Sequence, residues 1–307
     1  MRVFHVFLLV LVMAAWGFSF IAIKEGLKDS PPLLLCSLRF FLTTFPAIFF
    51  IKKPKTSWSI LLSYSVLMFV LMFALAFLSL NAGLSPGLAS LLLQFQILFT
   101  LLLSWVFLKE ALNRWQTLGI LISFSGLLWV VFQVDGKASL LGLILILCSA
   151  LAWGFANLIS KKAGKINMLA LTVWGSAFAW PILFLISLVF EGTGLVFQSL
   201  KTLSWTSWGA LFYMAYPATI FGFSLWTWLL NRYPANVVTP FALLVPFFGM
   251  LGAFLFFSET LESWKIFAAF LVMMGLSLHF FGQRLSTWLS RRIKGRRMEK
   301  QKVSRSN

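Results

Sequence analysis

Long runs of apolar residues dominate this chain, without the alternation of a half-buried strand or the polar face of a surface helix. Each run has about the 20 residues that an α-helix needs to cross the hydrocarbon of a bilayer. Short links rich in lysine, proline and glycine separate the runs. The pattern predicts ten membrane helices, at about Val3–Ile23, Leu33–Ile51, Trp58–Leu80, Pro86–Leu108, Trp115–Val134, Leu140–Ile159, Met168–Phe190, Trp208–Leu230, Ala235–Phe257 and Trp264–Phe281.

Composition supports the same interpretation. Of the 307 residues, 60% are hydrophobic and only 11% are charged, whereas soluble domains contain about 25% charged residues. The net charge of +17 does not indicate nucleic-acid binding, because nine of the 25 basic residues lie in the tail 284–307. A basic tail after a membrane helix is typical of a cytoplasmic anchor against anionic lipid. The two cysteines are far apart in apolar segments, so we predict neither a disulfide nor a metal site.

The distribution of basic residues orients the bundle. If the N-terminus lies inside, 19 of the 25 Lys and Arg fall on the inner side, five fall outside, and only Arg39 lies within a segment. Basic residues favour the cytoplasmic side. We therefore predict a multi-pass protein of the bacterial inner membrane with both termini in the cytoplasm.

Two echoes indicate an internal duplication. Trp16-Gly-Phe and Lys24 return as Trp153-Gly-Phe and Lys161 after 137 residues, and the turn at Glu110 returns at Glu259 after 149. Each half has five helices, an odd number, so the second half enters the membrane upside down. The predicted fold is an all-α membrane protein with ten transmembrane helices in two five-helix inverted repeats, over 1–135 and 138–283. Such repeats are typical of secondary transporters, whose substrate site lies between the halves near the bilayer midplane.

Several motifs then carry a family resemblance from about Phe4 to Phe281. They are the paired Trp-Gly-Phe…Lys stretches, the two Glu-x-Leu turns, and the runs 31–40, 86–96 and 231–233. On these motifs the chain resembles the drug/metabolite transporter superfamily, and within it the EamA branch. The resemblance implies alternating access and a cavity lined by helices one, three, four, six, eight and nine, with helix two at the periphery. It also implies export of amino-acid metabolites such as O-acetylserine and cysteine.

Polar side chains on the central helices are candidates for the substrate pathway. Gln94 and Gln96 lie about 12–15 Å from the outer end of helix four at 1.5 Å per residue. Because they are two residues apart, we expect them to face different ways, with at least one in the cavity; the alternative is a hydrogen bond between helices. The other candidates for the pathway are Trp16, Ser19, Trp153, Asn157, Tyr213 and Tyr216.

Prolines predict where helices bend. Pro217, Pro240 and Pro246 lie inside helices eight and nine, where proline removes a backbone hydrogen bond. Helix four has no proline between Gly87 and Leu108, so the matching helices four and nine are predicted to differ in bend. That difference would suit a gate.

Three charged residues admit two interpretations each. Arg39 lies roughly 10 Å from the outer interface, within reach of snorkelling, which favours a structural anchor over a role in the mechanism. Glu110 and Glu259 follow helices four and nine at opposite faces, and either cap a turn or take part in coupling. No carboxylate lies deep in a segment, so proton antiport and facilitated diffusion both remain open.

The predicted function is export of small amino-acid-like metabolites, secondary-active or facilitative. A cavity of amides, hydroxyls and aromatic rings without a fixed buried charge suits zwitterionic or neutral polar molecules. The alternative is a multidrug permease for amphipathic drugs, or a permease of the same superfamily for other small metabolites. An enzyme is a remote one, because the Gly-x-Ser-x-Gly pattern at 83–87 joins two membrane helices and lacks the context of a nucleophile elbow. We predict no catalytic residues and no cofactor, and we make no prediction about oligomers.

Overall fold

The computed structural model describes residues 1–109, 113–133, 140–163, 167–233, 235–260, 262–278 and 281–282. These residues form ten helical rods and no strand. In chain order the rods are α1 (Val3–Gly26), α2 (Pro32–Thr44, with a following turn at Ala47–Phe49), α3 (Trp58–Asn81), α4 (Pro86–Leu108), α5 (Arg114–Phe132), α6 (Leu140–Ala163), α7 (Met168–Thr202), α8 (205–232), α9 (235–257) and α10 (Ser263–Leu278).

The rods correspond to the ten predicted segments. By length and composition, α1 to α7 and α9 could each cross a membrane, and α10 is a shorter apolar helix. The main difference lies in the predicted link after Phe190. There α7 continues past Gly192, at φ 90°, into a further helix over Thr193–Thr202. Glycine adopts this positive φ without steric cost.

The duplication is visible in the helix bounds. Helices α1 and α6 both have 24 residues, and their bounds are offset by the same 137 residues as the sequence echo. The second parts of α4 and α9, Phe95–Leu108 and Leu244–Phe257, both have 14 residues. Each of these ends at a residue in the left-handed region, Lys109 at φ 55° and Ser258 at φ 49°.

Helices α4 and α9, for which the prolines predict a difference in bend, share an interruption of the helix. The chain is interrupted at equivalent positions, at 93–94 in α4 and over Thr239–Leu243 in α9. In α4, which has no proline there, tighter three-residue bonds run from Gln94 N to Leu91 O (3.1 Å) and from Ile97 N to Gln94 O (3.0 Å). The interruption therefore belongs to the repeated architecture and does not depend on proline.

Close helix packing explains the glycine after each repeated tryptophan. A Cβ on Gly17 would lie 2.5 Å from the Cβ of Phe248 in α9, and one on Gly154 would lie 3.1 Å from the Cβ of Phe99 in α4. The two phenylalanines are themselves offset by 149 residues. The first helix of each repeat thus packs, through this glycine, on the fourth helix of the other repeat.

Helices α3 and α8 share two further features. A serine caps each amino end, since Ser57 Oγ accepts from Ile60 N and Ser204 Oγ accepts from Ser207 N. Midway, each widens into a π-helical segment, at Ser65–Met72 and Met214–Phe221. Such segments frequently mark functional sites, because they re-aim the side chains on either side.

A carboxylate of the second half caps a helix of the first. Glu191 lies in α7, and its oxygens accept from the backbone N–H groups of Leu33 (2.7 Å) and Leu34 (3.1 Å) at the start of α2, and from Ser187 Oγ (2.6 Å). These N–H groups have no partner within α2. A negative charge is also favourable at a helix amino end.

The reverse contact is made by Asp29, which precedes α2 in the first half. Its Oδ2 accepts from Ser207 Oγ (2.8 Å), from Ser204 N (3.3 Å) and from Ser204 Oγ at the start of α8. The Ser204 hydroxyl, followed by that of Ser207, holds the pKa of Asp29 below its ordinary value. The two halves therefore exchange acidic caps.

This cap predicts an acid dependence of stability. Because the pKa of Asp29 is lowered in the folded state, its stabilising contribution is fully present above the unfolded pKa of about 3.9 and is lost as pH falls through the folded pKa. Asp29→Asn should lower the melting temperature at pH 7, and its difference from the parent protein should shrink below about pH 4. Glu25→Gln is the control, since Glu25 pairs with Lys28 at the exposed surface (2.7 Å) and such pairs contribute little. A pH-independent deficit would contradict the assignment.

Candidate functional site

A cavity of about 450 Å³ lies between the two halves. Helices α1, α3, α4, α6, α8 and α9 all contribute lining residues, as the family resemblance implied, and Arg39 of α2 and Met168 of α7 join them. Most of the lining is apolar or aromatic. A few polar groups on facing helices are typical of a small-molecule site.

The exposure of the lining residues differs between the two ends of the cavity. Near the carboxyl end of α1, the lining residues Phe20, Ile23 and Ala76 are buried. At the opposite end, where α6 ends and α7 begins, Asn157 and Met168 are half-buried.

Amide and hydroxyl groups join α4 to α6 across the cavity. Asn157 Nδ2 donates to Gln96 Oε1 and to Thr100 Oγ1, both at 3.0 Å. The Thr100 hydroxyl donates in turn to the backbone carbonyl of Gln96 (2.6 Å). These bonds fix the three side chains on the lining, since few alternative partners exist in an apolar bundle.

Gln94 also lines the cavity, so the expectation that the two glutamines face different ways is wrong. That expectation assumed an uninterrupted helix, whereas the turn at 93–94 rotates Gln94 relative to Gln96. Gln94 is only 6% exposed. Within the described part of the chain its amide side chain makes no hydrogen bond, so it is available to a ligand.

The two repeated tryptophans both lie on the lining. Trp16 Nε1 donates to the carbonyl of Ala218 (2.8 Å) in the π-helical segment of α8, and its ring packs against Phe223 and Trp226, each 5.4 Å away between centroids. Ser19, also on the lining, donates its hydroxyl to the carbonyl of Trp16. Trp16 thereby connects the first helix of one half to a central helix of the other.

Residues 3–132 and 140–281 each match the EamA-like transporter family. The chain belongs to this family. A probable amino-acid metabolite efflux pump of Salmonella typhimurium is 38% identical over 285 residues, covering 91% of this chain and 95% of the relative. The protein of the same description in Escherichia coli is 36% identical over 283 residues, covering 90% and 95%. A crystal structure matches with a TM-score of 0.63 at 14% identity, over 91% of this chain and 98% of its own, which shows the fold alone.

Arg39 of this transporter does not reach the membrane surface, contrary to the snorkelling interpretation. Its side chain is 4% exposed and lines the cavity. Nη2 donates to Thr219 Oγ1 (3.1 Å) in α8, and the guanidinium carbon lies 4.3 Å from the ring centroid of Phe73. Nε and Nη1 are buried without a hydrogen-bond partner. The cavity therefore holds a fixed cation, which the sequence analysis placed elsewhere because it set α2 at the periphery.

Tyr213 and Tyr216, two predicted pathway residues, are not among the residues that line the transporter's cavity. Their hydroxyls donate to the backbone carbonyls of Ala15 (3.0 Å) and Phe45 (3.1 Å). The π-helical segment between 214 and 221 rotates the residues before it relative to those after it. As a result Ala218, Phe223 and Trp226 face the cavity instead.

The predicted kink residues lie close to the cavity. Pro217 is inside the π-helical segment of α8, and Pro240 is inside the tight turn Thr239–Leu243 of α9. Pro246 is buried in the first turn of Leu244–Phe257, beside the lining residue Val245. These positions set the backbone around the site.

Glu259 lies away from the cavity at the end of α9. Its Oε1 pairs with Lys265 Nζ at 3.1 Å, and its Oε2 is buried without a partner. The counterpart Glu110 and the basic tail 284–307 lie outside the described residues. Thr100 and Phe73 are among the lining residues that were not predicted from the sequence. Thr100 follows Gln96 by one helical turn and could have been found by that spacing, whereas Phe73 gave no signal among so many phenylalanines.

Proposed function

We propose that this transporter exports small amino-acid metabolites by alternating access between its two halves. The observation that carries the proposal is the cavity between the two halves, with polar groups from both halves on an apolar lining. The two bacterial relatives described as probable amino-acid metabolite efflux pumps support the substrate class. Such solutes need both polar partners and a water-excluding wall.

Charge supports the orientation of the bundle in this proposal. The less buried end of the lining, at Asn157 and Met168, lies where α6 ends at the exposed Lys161 and Lys162 and where α7 begins. Basic residues favour the cytoplasmic face. With this orientation the less buried end of the lining faces the cytoplasm, which supports loading of a solute made inside the cell.

The fixed cation in the cavity bears on the drug alternative. Arg39 would repel a cationic dye in a low-dielectric cavity, and no carboxylate lies on the lining among the described residues. The aromatic rings around Trp16 would still accept a neutral amphipathic compound. Amino-acid metabolites therefore fit the cavity better than cationic drugs do.

Overexpression in a bacterium, followed by comparison of metabolites in the medium, tests the proposal. We expect external cysteine-pathway metabolites such as O-acetylserine to rise, and Gln94→Ala to reduce that rise about tenfold, because a buried amide partner of the solute is lost. Ser125→Ala is the matched control, since Ser125 lies exposed on α5. Export measured with and without an imposed pH gradient then separates proton antiport from facilitated diffusion.

Three results would count against the proposal. An unchanged medium with raised resistance to cationic dyes would favour a drug exporter. Accumulation inside the cell would reverse the direction. Hydrolysis of the solute by vesicles in place of its transport would point to an enzyme.

A further inference from the structure

The guanidinium of Arg39 has more N–H donors than the surrounding structure has acceptors for them. A guanidinium carries five N–H donors, and the structure gives it one hydrogen-bond acceptor, the hydroxyl of Thr219 at 3.1 Å from Nη2. That hydroxyl donates its own hydrogen to the carbonyl of Met214 (2.7 Å), so it can only accept from Arg39. Nε and Nη1 are left buried without partners.

The surroundings do not neutralise this charge. The rings of Phe73 and Phe40 lie 4.3 and 5.6 Å from the guanidinium carbon, so they cover its face and provide cation–π attraction. In the described part of the chain no Asp or Glu lines the cavity, and the nearby carboxylates Asp29 and Glu191 cap helix ends. A buried cation in a membrane protein requires a counter-charge.

We propose that Arg39 binds the carboxylate of the transported metabolite, an inference that rests on the export function proposed above. The planar guanidinium matches a carboxylate through two parallel N–H···O bonds. Thr219 accepts only one of the two Nη2 hydrogens, so the second Nη2 hydrogen can donate in parallel with either Nε or Nη1, both of which have no partner. Contact with Phe73 and Thr219 already restrains the plane of the group. Substrates are then small molecules with one free carboxylate.

Gln94 completes the subsite. It lines the same cavity, is 6% exposed, and has no side-chain hydrogen bond within the described residues. Its amide oxygen can accept from the ammonium of an amino acid, while Arg39 holds the carboxylate. One cation and one amide thus distinguish an amino acid from an amine or an ester of similar size.

Competition in vesicles that contain the purified transporter tests this assignment. Uptake of labelled O-acetylserine is measured against unlabelled O-acetylserine and against its methyl ester, which lacks the negative charge. In the parent protein the ester should compete at least about tenfold more weakly, because a charge-assisted bond is lost. In Arg39→Gln the affinity for the acid should fall by a similar factor and the discrimination against the ester should disappear.

Two variants complete the design. Arg39→Lys keeps the positive charge but lacks the planar guanidinium with its parallel N–H donors. This variant should retain part of the discrimination between acid and ester, at reduced affinity for the acid. Arg232→Gln makes the same change of charge at an exposed position and should behave as the parent. If Arg39→Gln does not insert into the membrane, the competition by acid and ester in the parent and in Arg39→Lys tests the carboxylate site instead.

The outcomes separate the two proposals. Equal competition by acid and ester in the parent, or parental discrimination in Arg39→Gln, would overturn the carboxylate site and leave export of metabolites standing. Failure of the parent protein to transport any amino-acid metabolite would overturn the proposed function and this site with it.

Discussion

Replacing Gly17 by alanine is expected to destabilise the transporter by about 1–3 kcal/mol or more, the cost of overpacking a tight interface. The added Cβ would lie 2.5 Å from the Cβ of Phe248, 2.8 Å from the carbonyl of Val245 and 2.9 Å from the backbone nitrogen of Gly249. Two of these atoms belong to the backbone of α9, so no side-chain rotation relieves the contact. Thermal unfolding followed by size-exclusion chromatography measures the loss.

Two other glycines serve as comparison positions for the Gly17→Ala experiment. At Gly154 the nearest atom would be 3.1 Å away, so Gly154→Ala should cost less. At the exposed Gly209 nothing lies within 4 Å, and alanine there should stabilise the helix by about 0.5–1 kcal/mol. Equal melting temperatures for Gly17→Ala and Gly209→Ala would contradict the close approach of α1 to α9.

Asn157→Leu should reduce transport about tenfold while the protein still folds. Leucine has a similar size, but it donates no hydrogen bond and leaves Gln96 Oε1 and the Thr100 hydroxyl without their partner. An unsatisfied polar group in such a site costs about 1–3 kcal/mol, which corresponds to a factor of about ten in rate. Initial rates of export from loaded vesicles measure the effect.

Asn231→Leu is the matched control for this experiment, because Asn231 is exposed at the end of α8. Its transport should stay at the parental rate. A parental rate in Asn157→Leu as well would show that the polar link between α4 and α6 has no part in transport.

The repeat pattern was enough to predict the architecture. The helices are set by apolar length alone, and the glycine after Trp16 and Trp153 marks a close approach of two helices. An odd number of helices in each half then fixes the inverted arrangement. These are local or periodic properties, so one sequence suffices to find them.

The details of the site depended on interactions that a sequence does not display. Distance from the interface could not say whether Arg39 turns outward to water or inward to Thr219. The faces of Gln94 and of Tyr213 depended on backbone irregularities at 93–94 and 214–221, and helix periodicity cannot anticipate an irregularity. Lining residues contributed by neighbouring helices, such as Phe73, required the packing itself.

The exchanged acidic caps have a consequence for synthesis. Helix α2 leaves the ribosome about 150 residues before Glu191, so its first N–H groups meet no protein acceptor until α7 has been made. Likewise the amino end of α8 is hydrogen-bonded by Asp29, which is translated long before α8. A chain truncated after the first repeat would leave the start of α2 uncapped in the bilayer, so the first half becomes a completed structure only when most of the second has been translated.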